Sequence, residues 1–297
     1  MERVRLEIGA ERRVEGGLGI TVGVLDSGVE EHPDLVGKIS LFRDFVGNAS
    51  VPYDDNGHGT HVCGMIAGRG SRYGGLYMGI VPGCSLVVGK VLDRQGNGRA
   101  EHMLAGLDWM AEQRKRYGIR ILNISVGIGE LEEPEKENRL CQKLEELWDL
   151  GMVIVCAAGN KGPAEGSLSA LGKSGKVITV GCHDKKNGRN ARSCRQYSGR
   201  GWEKEGMPVK PDLVAPGTEV ISCNAGWKQG MYYIAKSGTS MSTPLVSAAA
   251  ALLLEQHPEL TNEEVKRRLH YSATDLGEPW SLQGWGLLNV KKLLEKY

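Results

Sequence analysis

Five short runs of apolar, largely β-branched residues recur along the chain, and segments with helical periodicity separate them. The runs cover residues 20–25, 86–91, 119–126, 152–158 and 177–181. Runs this short and this continuously apolar are typical of strands that are buried on both faces of a parallel sheet. Their alternation with helical segments predicts an α/β fold with a mainly parallel central sheet.

Three segments have the patterns of helices. Apolar residues recur at three- and four-residue spacings over residues 103–111 and again over residues 140–148. Thr261 and Glu264 match a capping box, which predicts a helix that continues through Leu269. The chain has no internal repeat and no low-complexity linker, so we expect one main domain.

Composition and charge exclude several classes of protein. With 297 residues, of which 40% are apolar, the chain can bury one substantial core. Its 37 basic and 36 acidic residues leave a net charge of +1, so no broad field would attract nucleic acid. The longest apolar run, around residues 245–254, is well short of the roughly 18 residues that a membrane span needs. We therefore expect neither a nucleic-acid partner nor a membrane, and the sequence does not determine the oligomeric state.

The cysteines and the first residues bear on the cellular compartment. The seven cysteines are Cys63, Cys84, Cys141, Cys156, Cys182, Cys194 and Cys223. An odd and scattered set within apolar segments favours buried free thiols over a disulfide framework, and free thiols are typical of a reducing compartment. The first residues mix both charges and lack the apolar core of a secretory signal. These features predict a cytoplasmic protein.

Three polar motifs suggest nucleophilic catalysis. Asp26 follows the first apolar run, His61 ends a Gly-His-Gly-Thr-His segment, and Ser240 precedes a long Ala/Leu-rich helix. A serine hydroxyl becomes a good nucleophile when an imidazole takes its proton and a carboxylate holds that imidazole in the right tautomer. We predict Ser240 as the nucleophile, His61 as the base and Asp26 as the orienting acid, and we assign His58 a structural role. Each motif alone also fits a plain turn, helix start or helix cap.

A fourth motif, Ala158-Gly159-Asn160, follows the fourth apolar run. The amide of Asn160 can donate a hydrogen bond to an oxyanion together with the backbone N–H of Ser240, although Asn-Lys-Gly is also a plausible turn. Ligands of open α/β sheets bind beyond the carboxyl ends of the strands. We therefore expect Asp26, Ser125 and Asn160 to converge there.

The four motifs together resemble the signatures of the subtilisin-like serine endopeptidases. They are Asp26-Ser27-Gly28, His58-Gly59-Thr60-His61, Ala158-Gly159-Asn160 and the heptapeptide Gly238-Thr239-Ser240-Met241-Ser242-Thr243-Pro244. The resemblance covers about residues 19–289 and is closest in layout to the intracellular subtilisins. It implies a three-layer α/β/α fold, a catalytic domain over residues 19–297, and peptide-bond hydrolysis through an acyl-enzyme that requires no cofactor.

The resemblance also implies how a peptide or protein substrate binds. Family members bind an extended peptide as an additional strand, and a few pockets set the specificity. The implied binding edges contain Gly98, Arg99, Ser125, Val126 and Gly127. The implied primary pocket adds Ala157, Ala158, Gly159 and, at its rim, Lys161. We expect the charges of Lys161 and Arg99 to favour acidic or polar substrate residues.

Two regions depart from the secreted members of that family. Residues 1–18 are too short for a folding prodomain, and Val4, Leu6 and Ile8 alternate with charged residues as in a strand. We predict that this separable extension blocks the cleft as a short inhibitory propeptide. Asp34 matches a calcium ligand of the family and is the candidate for a structural calcium site, although loop 69–75 offers two arginines there.

These observations leave three hypotheses for function. The leading one is a serine endopeptidase of broad or moderate specificity that takes part in protein turnover. A narrower alternative is a dedicated maturation protease for one peptide or proprotein, which a charged cleft rim would suit. A non-catalytic peptide-binding regulator is the third, and the joint presence of Asp26, His61, Asn160 and Ser240 argues against it.

Overall fold

A parallel sheet of seven strands forms the centre of the protein in the computed structural model, which describes residues 1–127, 134–184, 193–202 and 209–295. Its strands are β1 (Thr21–Asp26), β2 (Ile39–Asp44), β3 (Ser85–Lys90), β4 (Ile119–Ile124), β5 (Val153–Ala157), β6 (Ile178–His183) and β7 (Leu213–Pro216). Neighbouring strands pair in parallel throughout. Five of these strands coincide with the five apolar runs, so the predicted α/β class is confirmed.

The strand order places Asp26 at the topological switch point of the sheet, where the chain stops adding strands on one side of β1 and starts adding them on the other. The order is β2-β3-β1-β4-β5-β6-β7, so the chain extends from β1 first to one side and then to the other. Connections that leave in opposite directions open a crevice at the carboxyl ends of the strands, where ligands of such sheets bind. Asp26 is the last residue of β1 and is completely buried.

Helices cover both faces of the sheet and complete the three layers that were predicted. In chain order they are α1 (Glu2–Ile8), α2 (His58–Ala67), α3 (Ala100–Tyr117), α4 (Pro134–Asp149), α5 (Thr239–Gln256), α6 (Asn262–Ser272), α7 (Trp280–Gln283) and α8 (Val290–Leu294). Helices α3 and α4 pack together on one face, and α2 and α5 pack together on the other. None of the helices in the described ranges is both long and apolar enough to cross a membrane.

The shorter elements include one hairpin and several 3₁₀ turns. Strands β8 (Val220–Cys223) and β9 (Tyr233–Lys236) pair in an antiparallel manner and lie outside the central sheet. The 3₁₀ turns cover Pro33–Leu35, Ser71–Tyr73, Ala170–Gly172, Cys194–Gln196 and Ala225–Gln229. The sequence analysis did not predict β2 or the hairpin, because their strands lack a long continuous apolar run, and β2 and β9 are also half-exposed.

The predicted capping box is present at the start of α6. The hydroxyl of Thr261 accepts a hydrogen bond from the backbone N–H of Glu264 at 3.2 Å, and the Glu264 carboxylate accepts one from the N–H of Thr261 at 2.8 Å. These bonds satisfy two backbone donors that the first helical turn would otherwise leave unpaired.

Within residues 1–18, the segment Glu2–Ile8 is helical where a strand was predicted, so that prediction was wrong. Val4 and Ile8 are four residues apart, a spacing that fits one face of a helix as well as the alternation of a strand. In α1 both side chains are buried in the main core together with Met1, whereas Leu6 is 80% exposed. The buried guanidinium of Arg5 donates to the carbonyls of Met78, at 2.7 Å, and Gly79. Helix α1 therefore packs against the main core of the protein.

The cysteines differ in part from the prediction. Cys182 and Cys194 form a disulfide, so the expectation of free thiols was wrong for this pair. The other five cysteines are free, and all of them except Cys141 are buried. Because disulfides are typical of oxidising compartments, the cysteines no longer support a reducing one. The cytoplasmic location stays a prediction.

Candidate active site

Asp26 and His58 form a hydrogen-bonded pair at the carboxyl end of β1. Asp26 Oδ1 accepts hydrogen bonds from Nδ1 of His58 and from the backbone N–H of Ser27, both at 2.7 Å. A carboxylate can only accept, so the proton lies on Nδ1 and the neutral ring keeps a basic lone pair on Nε2. The side chain of His58 is 21% exposed and that of Asp26 is 0% exposed. Only the imidazole of this pair is accessible to a ligand.

Asp54 holds the loop that positions His58, and the sequence analysis did not identify it. Its carboxylate accepts hydrogen bonds from the N–H groups of Gly57 and Thr60, at 2.7 and 2.8 Å, where α2 begins. The hydroxyls of Ser27 and Thr60 add bonds of 2.8 and 2.6 Å. Burial opposes the charge of Asp54, but these bonds outweigh burial and lower its pKa. A charged carboxylate there stabilises the first turn of the helix.

His61, which was predicted as the base, does not contact Asp26. Its ring is completely buried beneath the hairpin, and Nε2 donates to the carbonyls of Val220 at 3.0 Å and Ile234 at 3.1 Å. Its Nδ1 has no hydrogen-bond partner among the described residues. The prediction for His61 was therefore wrong. Asp26 accepts its hydrogen bond from His58, at the start of α2, whereas His61, three residues later, donates to the hairpin.

The two imidazoles have pKa values that are shifted in opposite directions. Burial disfavours the charged form of His58, but the charge and the hydrogen bond of Asp26 outweigh burial and raise the pKa of His58. Burial, followed by the positive charges of Lys236 and His58, lowers the pKa of His61 to about 3. The carboxylate of Asp26 therefore stabilises the imidazolium of His58, whereas His61 stays neutral above about pH 3.

Ser240 lies in the first turn of α5, where backbone N–H groups and the positive end of the helix dipole are directed at a ligand. Gly238, the residue before the helix, has a φ of 146°, which favours glycine. A methyl group on Gly238 would lie 3.6 Å from Ser240 Oγ and 3.3 Å from Asn160 Nδ2. The hydroxyl and the amide therefore flank the same spot, and glycine leaves that spot open.

Thr239 orients Asn160. The side-chain oxygen of Asn160 accepts hydrogen bonds from the N–H of Thr239 at 3.0 Å and from its hydroxyl at 3.1 Å. The same hydroxyl accepts a bond from the N–H of Gly159 at 3.2 Å and does not cap α5. With the amide oxygen engaged, the NH₂ group of Asn160 is directed toward Ser240 and can donate to a ligand there.

A cavity of about 550 Å³ opens beside Ser240. Besides Ser240 itself, the predicted residues that line it are Ser125, Gly127, Ala157, Gly159, Asn160 and Lys161. Val126 and Ala158 are buried and, like the exposed Arg99 and its neighbour Gly98, do not line it. The lining residues that the sequence analysis missed are Glu137, Gly166, Ser167, Leu168, Ser169, Ala170, Lys173 and Thr239.

An ion pair joins two of the missed residues across the wall of the cavity. Lys173 Nζ lies 2.6 Å from a carboxylate oxygen of Glu137 in α4. Ser169 fixes the adjoining segment by donating to the carbonyl of Ala157 at 2.6 Å. Glu137 and Lys173 are 36 residues apart, and nothing in the sequence indicates that they meet.

Comparison with known proteins agrees with this geometry. The chain matches the model described as "Subtilase family" over residues 17–286. The chain belongs to the subtilase family. The predicted recognition is thereby confirmed, as is the expected serine-type endopeptidase at the level of the family.

Named relatives of this subtilase include two proteases. Serine protease AprX from Bacillus subtilis (strain 168) is 38% identical over 293 residues, which cover 93% of this chain and 66% of AprX. Subtilisin Savinase from Lederbergia lenta is 35% identical over 282 residues, which cover 95% of this chain and 93% of Savinase. Among solved structures, Sphericase superimposes with a TM-score of 0.79 at 29% identity and covers 97% of each chain.

The surroundings of Asp34 do not fit a calcium ion in this subtilase. One carboxylate oxygen accepts bonds from the N–H and the hydroxyl of Ser71, at 2.9 and 2.6 Å, and the other accepts one from the hydroxyl of Tyr233 at 2.7 Å. Calcium needs six to eight oxygen ligands, whereas Asp34 is already bonded by protein donors. The described residues around Asp34 therefore do not supply the ligands that the expected calcium site would need.

His32 and Cys223 lie close enough to Asp34 to suggest a metal cluster of another kind. His32 Nδ1 accepts a bond from the N–H of Asp34 at 3.1 Å, and Nε2 lies 2.9 Å from the carbonyl of Tyr232. Both ring nitrogens are thus engaged, and the thiol of Cys223 is 3.9 Å from the carboxylate. His32, Asp34 and Cys223 are therefore held in a buried hydrogen-bond network.

Proposed function

We propose that this subtilase hydrolyses peptide bonds with Ser240 as the nucleophile, His58 as the general base and Asp26 as the carboxylate that orients His58. The observation that carries the proposal is the 2.7 Å hydrogen bond from His58 Nδ1 to Asp26 Oδ1. This bond leaves Nε2 as the basic nitrogen, and α2, which His58 begins, packs against α5, whose first turn contains Ser240. No cofactor is needed for these roles.

Catalysis would begin when His58 Nε2 takes the proton of the Ser240 hydroxyl while Oγ attacks the carbonyl carbon of the substrate. Asp26 stabilises the imidazolium that forms, in line with the raised pKa of His58. The same proton then passes from Nε2 to the leaving amine, and the carbon–nitrogen bond breaks. Water, activated by the neutral imidazole, hydrolyses the acyl-enzyme and restores Ser240.

Asn160 would stabilise the tetrahedral intermediate. Its NH₂ group and the backbone N–H of Ser240 flank the spot that Gly238 leaves open, and both can donate to an oxyanion there. The hydrogen bonds from Thr239 to the amide oxygen hold this donor in place before the substrate arrives. Such pre-orientation favours the transition state, because no reorganisation is needed when charge develops.

The substrate would be a peptide or protein, with one side chain in the cavity beside Ser240. Broad turnover remains the leading function, and a dedicated maturation protease remains the narrower alternative. Inhibition by residues 1–18 stays a prediction. In this structure Met1, Val4 and Ile8 pack in the core, and no residue of the segment lines the cavity.

An active-site probe tests the proposal. We would treat the wild type and the Ser240→Ala, His58→Ala and His61→Gln variants with a fluorophosphonate and follow the intact mass with time. We expect one adduct on the wild type, none on Ser240→Ala, and very slow labelling of His58→Ala. His61→Gln is the matched control and should be labelled at nearly the wild-type rate. Labelling of folded Ser240→Ala, or rapid labelling of His58→Ala, would contradict the assignment.

A further inference from the structure

Lys90 is a buried cation next to Asp26 in the sheet. It is the last residue of β3, and it pairs with Asp26, the last residue of β1. Among the described residues it has the largest side chain that is completely buried. A buried ammonium is costly unless it is paired with a carboxylate and hydrogen-bonded. The steps of peptide-bond hydrolysis given above do not use this cation, so its surroundings indicate what it does.

The ammonium of Lys90 joins three segments of the chain. It donates to the carbonyl of Ser27 at 2.7 Å, to the carbonyl of Leu92 at 2.9 Å and to the carboxylate of Asp55 at 2.7 Å. An ammonium has three donors, so all of them are used. The side chain of Lys90 is only 1% exposed and that of Asp55 is 37% exposed. Lys90 is therefore inaccessible to a ligand and acts through the residues that it binds.

The bond to Ser27 affects the carboxylate of Asp26. The backbone N–H of Ser27 donates to Asp26 Oδ1, the same oxygen that accepts the hydrogen bond of His58. Asp26 Oδ2 has no hydrogen-bond partner among the described residues. The orientation of the carboxylate therefore depends on the two donors at Oδ1. One of them belongs to the backbone of Ser27, which Lys90 holds through the carbonyl of the same residue.

The bond to Asp55 affects His58. Asp55 lies in the loop of residues 54–57, which leads into α2, and His58 is the first residue of that helix. The neighbouring Asp54 binds N–H groups at the start of α2, as described above. Asp55 adds a bond from the loop to the end of β3. Lys90 thus contacts the segment on each side of the hydrogen bond between Asp26 and His58.

We propose that Lys90 is a positioning residue that keeps the carboxylate of Asp26 and the imidazole of His58 aligned by holding Ser27 and Asp55. The inference rests on the proposed function, in which Asp26 orients His58. Catalysis is sensitive to such alignment, because a misplacement of about 1 Å can lower the rate by about 10²-fold.

A second buried lysine provides a matched control. Lys210 donates to the carbonyl of Val177 at 2.8 Å, the hydroxyl of Thr179 at 2.9 Å and the carboxylate of Asp212 at 2.6 Å, and its side chain is also 1% exposed. It precedes β7, at the amino ends of the strands, whereas Lys90 lies at the carboxyl end of β3. The two ammonium groups therefore have similar contacts at opposite edges of the sheet.

The test compares the kinetics of Lys90→Met and Lys210→Met on one peptide substrate. We expect Lys90→Met to lower kcat by about 10²-fold with little change in KM. Lys210→Met should lose stability but keep a kcat close to that of the wild type. A wild-type kcat in folded Lys90→Met, or an equal loss of kcat in both variants, would overturn the inference.

A double variant separates alignment of the pair from general damage to the site. In a His58→Ala background, Lys90→Met should lower the residual kcat no further, because the ring that Lys90 aligns is no longer present. A further loss of about 10²-fold would contradict the inference. A wild-type kcat in His58→Ala itself would instead refute the proposed function.

Asp55→Ala decides the question if Lys90→Met does not fold. This change removes a partly exposed side chain and only the bond to the loop before His58. We expect kcat to fall by about fivefold, the upper range of a partly exposed ion pair, with KM nearly unchanged. An unchanged kcat in folded Asp55→Ala would overturn the inference.

Discussion

His58 and His61 are the same residue type on the same helix, three residues apart, and their surroundings are opposite. His58 is partly exposed and donates to a carboxylate, whereas His61 is buried and donates to two backbone carbonyls. One ring therefore has a raised pKa, and the other has a pKa of about 3. The carboxylate favours the imidazolium, and the buried carbonyls without a nearby anion do not compensate for the lost hydration of that cation.

This comparison shows how a reactive histidine differs from a structural one. Proton transfer requires a ring with an accessible nitrogen and a partner that stabilises the charged form. His61 lacks both, because Nε2 is used by the hairpin and Nδ1 is buried without a partner among the described residues. A short motif with two imidazoles can thus place one ring where it suits a general base and bury the other as a hydrogen-bond donor to the hairpin.

Separate replacement of His58 and of His61 should produce the largest difference in kcat between variants. We expect His58→Ala to lower kcat by about 10⁴- to 10⁶-fold, the range for loss of a triad residue in subtilisin-type proteases. His61→Gln should keep most of the wild-type kcat, because its side-chain amide can still donate to the hairpin. Steady-state cleavage of one peptide by both purified variants measures this. A comparable loss in both would remove the distinction.

The proposed oxyanion role of Asn160, whose amide lies beside Ser240, gives the next largest effect. Asn160→Ala should lower kcat by about 10²- to 10³-fold with little change in KM, because the donor acts on the transition state. Asn160→Asp is a useful control, since it keeps the acceptor for Thr239 but has no NH₂ group, and it should be at least as impaired because its charge repels the oxyanion. Undiminished kcat in folded Asn160→Ala would exclude the oxyanion role.

Replacement of His61, which holds the hairpin through two hydrogen bonds, should lower the stability of the protein. His61→Leu leaves the carbonyls of Val220 and Ile234 without their donor, which should cost about 3 kcal/mol of unfolding free energy. His61→Gln should lose less. Urea denaturation in a Ser240→Ala background, which avoids self-digestion, measures both. If His61→Leu were as stable as the parent, the hydrogen bonds to the hairpin would not matter.

The pH dependence of stability should have opposite signs for the two rings. An unfolded histidine has a pKa of about 6.5. Between about pH 3 and 6.5 the unfolded chain protonates His61 and the folded chain does not, so this residue makes unfolding easier as the pH falls, by up to about 1.4 kcal/mol per pH unit. The raised pKa of His58 adds stability that is complete below 6.5 and is lost as the pH rises through its folded value.

Denaturation series from pH 4.5 to 8 can separate these two terms. In the Ser240→Ala background, His61→Gln should flatten the acid side of the stability curve, and His58→Gln should flatten the side near and above neutral pH. Identical curves for the two variants would contradict the opposite shifts.

Much of the fold could be predicted from the sequence. Parallel strands that are buried on both faces appear as continuous apolar runs, and the capping box of Thr261 and Glu264 involves neighbours in the chain. The strand β2 and the hairpin lack such signals. The conformation of residues 2–8 was misjudged because Val4 and Ile8 fit two periodicities, and only packing against the core selects the helix.

The sequence by itself determined the class of the fold, the family and the motifs that supply Asp26, Ser240 and Asn160, because those properties depend on residue types and on short spacings. The tertiary structure decided which imidazole meets the carboxylate, which residues close the cavity, and that donors from Ser71 and Tyr233 surround Asp34. Each of these outcomes depends on the approach of segments that are distant in the chain. His58 and His61 differ only in which of those segments, β1 or the hairpin, lies against the ring.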